Sequence, residues 1–90
     1  MMDGEKLYWI VSVGGLGGPL GEFNARTYEV YAADVGEAAN LGRAAFEREM
    51  REDLERDLIA YENNKGDRGY KPALHHFHSL DVRQGRQRER

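Results

Sequence analysis

The sequence predicts an α+β domain of order ββαβ, a three-stranded, antiparallel-type sheet with one long helix packed on one face. Three observations carry this reading. Two segments rich in β-branched and aromatic residues flank a glycine-rich stretch, a long proline-free run follows an acidic cap, and an alternating apolar segment comes near the end.

The first strand is residues 7–13, LYWIVSV, bounded by glycine. Alternation puts Leu7, Trp9, Val11 and Val13 on one face, read as the core side, and Tyr8, Ile10 and Ser12 on the other. The second strand is residues 25–32, ARTYEVYA, with Tyr28 and Val30 inward and Arg26 sharing their face. Between them VGGLGGPLGEF holds five glycines and a proline in eleven positions and reads as a flexible hairpin loop.

Asp34 opens the helix as N-cap, and Glu37 three positions later forms a capping-box pattern. The helical run extends from Val35 to about Glu62, where Asn63, Asn64 and Gly66 end it. Val35, Ala38, Ala39, Gly42, Ala45 and Phe46 form the first apolar stripe, and interior Gly42 signals close packing. Met50, Leu54 and Leu58 then recur every fourth position, a row that drifts off the first stripe. The helix is therefore expected either to break near Met50–Asp53 or, the favoured reading, to project its far end and pack it on another subunit. Residues 73–82, ALHHFHSLDV, make the third strand, with Leu74, His76, His78, Leu80 and Val82 opposed to His75, Phe77, Ser79 and Asp81.

Ninety residues support one core, so 1–82 read as a single domain and 83–90 as a disordered basic tail. The net charge of −3 divides into −6 for residues 1–82 and +3 for the tail RQGRQRER. Arginine outnumbers lysine ten to three, a usage common in GC-rich bacteria and their phages. There are no cysteines, which excludes disulfides, thiolate chemistry and cysteine-ligated zinc. No apolar run approaches the roughly 20 residues that span a bilayer, so no membrane partner is expected. The opening MMDGEK lacks a basic leader region, and a cytoplasmic location is the expectation.

The glycine stretch fails as a nucleotide site. From Gly15 a G-x-G-x-x-G pattern meets Leu20 where glycine is needed, and no Gly-Lys-Ser/Thr follows. A strand also follows it, where phosphate loops require a helix N-terminus. Its apolar residues Leu16, Leu20 and Phe23 are candidates for partner docking. His76 and His78 share a strand face in a His-x-His pair, the nearest approach to a metal site, but no third ligand accompanies them. No serine or threonine stands in a nucleophile motif, so no enzyme and no cofactor is expected.

Within 47–57, EREMREDLERD, six acids face three bases. Glu49, Asp53 and Asp57 stack as an acidic ridge, and with Met50, Leu54 and Leu58 they form the candidate partner surface of the helix. The expected function is a small non-enzymatic interaction module, an adaptor, inhibitor or regulator. It would form a homodimer through a sheet edge or the acidic helix and bind a further protein whose identity the sequence does not give. The alternative is a nucleic-acid-binding regulator contacting phosphates through Arg83, Arg86, Arg88 and Arg90.

Overall fold

The computed structural model describes residues 6–63 and 71–85. Strands β1 (Leu7–Gly17) and β2 (Glu22–Ala32) precede helix α1 (Val35–Asn63), and β3 (His75–Gln84) follows it. The sheet order is β2-β1-β3, with both pairings antiparallel and α1 on one face. This is the ββαβ architecture read from the sequence.

Trp9, Val11 and Val13 of β1 pair with Val30, Tyr28 and Arg26 of β2, so these side chains share the helix-facing side. Val11 and Val13 are buried, together with Ala32, Ala38, Phe46 and Met50. Trp9 packs at the margin, and its indole N–H donates to the Ala32 carbonyl at 2.9 Å. Leu7, expected in the core, is instead exposed where the sheet ends.

The glycine stretch is not the long loop expected from its composition. β1 runs on through Gly17 and β2 starts at Glu22, leaving a turn of only Gly18–Gly21. Gly21 N–H donates to Gly18 O across Pro19 and Leu20 (3.4 Å), and both glycines have positive φ, 75° and 70°. Proline at the second position of such a turn and glycine at its fourth suit a four-residue hairpin. Gly18 N–H also donates to Leu74 O at 3.2 Å, tying the turn to the residue that leads into β3. The glycines inside β1 give neighbouring rings room. A Cβ on Gly15 would lie 2.6 Å from Cζ of Phe46.

β3 starts two residues later than expected and ends two residues further on, which places Arg83 in the strand. Its register shifts by one: Gly14 pairs with Ser79 but Gly15 with Phe77, leaving His78 as the extra residue of a bulge. The strict alternation read from sequence fails here for that reason. Phe77 faces the helix together with Leu80 and Val82, and Arg43 of α1 lies 4.1 Å above its ring.

α1 is continuous over 29 residues. Asp34 accepts the Glu37 N–H at 2.9 Å, and Glu37 reaches back to the Ala33 N–H at 2.7 Å. Ala38, Gly42, Phe46 and Met50 are the buried positions. The four-residue row thus stays on the sheet as far as Met50, because such a ridge is inclined to the helix axis and sheets twist beneath it. Val35, assigned to the buried stripe, is 53% exposed. Leu54 and Leu58 continue the row half-buried, beside Leu74.

Candidate interaction surface

Residues paired directly across antiparallel strands share a face, so the side away from α1 follows from the register. From the turn to the far end it carries Leu16 with Phe23, Gly14 with Ala25, Ser12 with Thr27, Ile10 with Glu29, and Tyr8 with Tyr31. β3 adds His76, Ser79, Asp81 and Arg83. Among the described residues no element packs on this face, and Phe23 and Tyr31 are 59% and 53% exposed.

The rings lie low on the sheet. A Cβ on Gly14 would stand 2.6 Å from Cζ of Phe23, so that ring occupies the space above Gly14 and meets His78 edge-on at 6.2 Å. Tyr8 likewise lies over Gly85 and meets Tyr31 at 5.5 Å. Rings covering glycines in this way restore the packing that a missing side chain forfeits. Of the apolar residues assigned to the hairpin loop, only Leu20 is in the turn. Leu16 and Phe23 are strand residues at the edge of the open face, and all three are exposed.

The acidic ridge of α1 is met from the sheet. Arg26 donates to Glu49 at 2.9 Å and to Asp53 at 3.1 Å, Tyr28 OH donates to Glu49 at 2.8 Å, and Arg56 bonds Asp53 at 2.7 Å. Alternation along β2 placed Arg26 inward with Tyr28, but nothing local to either segment signalled that it would meet Glu49 and Asp53. Burial and the bond to Glu49 push the Tyr28 hydroxyl well above its ordinary range. Partial burial opposes the Arg26 charge, yet Asp53 and Glu49 outweigh it and raise its pKa. The Arg56 bond, with Arg26 behind it and burial opposing, holds Asp53 below the usual carboxylate range.

A carboxyl group whose folded pKa is depressed stabilises the fold above its unfolded pKa, and this is lost as pH falls through the folded value. Unfolding followed by circular dichroism should therefore show stability falling with pH below about 4, the ordinary Asp value. Asp53→Asn should flatten that acid limb, and an unchanged limb would remove Asp53 from its cause.

The other candidate helix residues separate. Met50 is buried at 3% exposure, with Asn24 Nδ2 at 3.8 Å from its sulfur. Asp57 is exposed and lines a groove of about 540 Å³ between the second half of α1 and the turn end of the sheet, with Leu54, Tyr61, Pro19 and His75. His75 Nε2 stands 3.7 Å from Glu22 there. His76 and His78 are exposed, and among the described residues no group of three or more His, Cys, Asp or Glu could hold a metal ion. Among the described residues no helix is long and apolar enough to cross a membrane. Arg83 lies on the open face, whereas Arg86, Arg88 and Arg90 lie outside the described residues. Comparisons with family models, curated proteins and solved structures found no match to this chain.

Proposed function

We propose that the chain is a small, non-enzymatic protein-interaction module that self-associates, with a further protein as its target. The supporting observation is the half-covered sheet. α1 protects one face, while the other presents Tyr8, Ile10, Leu16, Phe23 and Tyr31 with no cover among the described residues. Large apolar side chains exposed at both ends of an uncovered sheet face favour an interaction site over an idle surface. The acidic ridge is the weaker candidate, because Arg26 and Arg56 already engage Glu49 and Asp53. Sedimentation at several concentrations tests self-association: a concentration-dependent dimer is expected, and a clean monomer at high micromolar concentration would overturn it.

A second reading, nucleic-acid binding, draws support from Tyr8 and Tyr31, since stacked bases favour exposed aromatic platforms. Arg83 stands on the same face, but so do Glu29 and Asp81. Titration with single-stranded DNA or RNA at low salt decides it. Absence of any shift removes the reading.

A further inference from the structure

The open face is self-complementary in one orientation. Glu29 of β2 and Arg83 of β3 both pair with Ile10 of β1, so they flank it at the same level on opposite edge strands. At about 4.8 Å per strand they are about 10 Å apart, too far to pair with each other. Both are exposed, and neither makes an ion pair among the described residues. Unlike charges therefore stand at the two margins of one face, with Asp81 the further acid on it, two residues before Arg83 along β3.

We propose that the face is covered by a second copy of this chain, sheet on sheet, about a two-fold axis parallel to β1. This rests on the self-association proposed above and specifies its geometry. Such an axis exchanges the edge strands, so β2 of one copy lies over β3 of the other. Glu29 then faces the partner's Arg83, and by symmetry Arg83 faces the partner's Glu29, giving two ion pairs. At the turn end Phe23 falls over the partner's His76. Asp81 falls over the partner's Thr27, whose hydroxyl can donate to it. An axis perpendicular to the strands would instead set β2 over β2 and β3 over β3, leaving Glu29 without a cation in any register.

The surface between suits close stacking. Its middle is small, with Ser12, Gly14, Ala25 and Ser79, and the Ser12 and Thr27 hydroxyls lie 3.5 Å apart as partners for one another. The larger rings lie over Gly14 and Gly85 and leave few projections to hold the sheets apart. Stacked sheets pack about 10 Å apart with strands within about 30° of alignment, which a parallel axis permits.

Charge reversal tests this geometry on exposed residues. In Glu29→Arg each ion pair becomes two facing arginines, and in Arg83→Glu two facing glutamates. Each single variant should raise the dimer dissociation constant about tenfold or more by sedimentation. The double variant Glu29→Arg/Arg83→Glu restores both pairs with the signs exchanged, and should return within about threefold of the parent, a coupling that independent sites do not show. Far-ultraviolet circular dichroism should be unchanged throughout. A parent dimer indifferent to both reversals, or a double variant no better than the singles, overturns the stacking geometry alone. A parent that stays monomeric overturns the self-association beneath it as well.

Discussion

Truncating Phe46 to alanine is expected to destabilise the domain by about 3–5 kcal/mol, the cost of removing a fully buried ring. Domains carry roughly 0.05–0.15 kcal/mol of stability per residue, so 90 residues give about 5–13 kcal/mol in all, and the variant should lie near its unfolding threshold. Phe46 is the largest fully buried side chain and reaches under β1 to Gly15, where β1, β3 and the helix come together. Urea unfolding measures the effect. A loss under about 1 kcal/mol would mean that the ring is not the centre of the core. Gly15→Ala offers a companion measurement: its methyl group would overlap the ring, so it should cost stability in the parent and less beside Phe46→Leu.

The second large effect is at Gly42, and its sign is diagnostic. In an unpacked helix, replacing an interior glycine by alanine gains about 1 kcal/mol. Here an added Cβ would stand 2.7 Å from Cβ of Val11 and closer still to its Cγ1. Val11 is fully buried and β-branched, so it has little freedom to move aside. Gly42→Ala should therefore destabilise by about 1–3 kcal/mol, the usual cost of overpacking. Val11→Ala leaves a cavity by itself, but beside Gly42→Ala it supplies room for the new methyl. The pair should be less destabilised than the two single effects combined, and a stabilised Gly42→Ala would refute the close approach of α1 to β1.

The elements were legible because their signals are local. Trp9, Val11 and Val13 alternate against Ile10 and Ser12, Asp34 and Glu37 cap a proline-free run, and interior Gly42 announces a tight contact. For the glycine stretch composition favours a loop, whereas most of it is strand. Gly14 and Gly15 extend in a strand since Phe23 and Phe46, from two other elements, fill the space above and below them. The four-residue row follows the sheet as far as Met50, and Leu54 and Leu58 lie beyond the buried core.

By itself the sequence determined the ββαβ order, the inward face of β1, the helix cap, and the lack of any cysteine to do chemistry. Only the tertiary structure decided which side chains share a surface. The bulge at His78 turns Phe77 toward the helix with Leu80 and Val82, Arg26 meets the acidic ridge across elements, and Glu29 and Arg83 reach the same level on opposite edges. The reason is physical: periodicity and capping act within a few residues, whereas register and the pairing of separate strands depend on contacts between positions far apart in the chain.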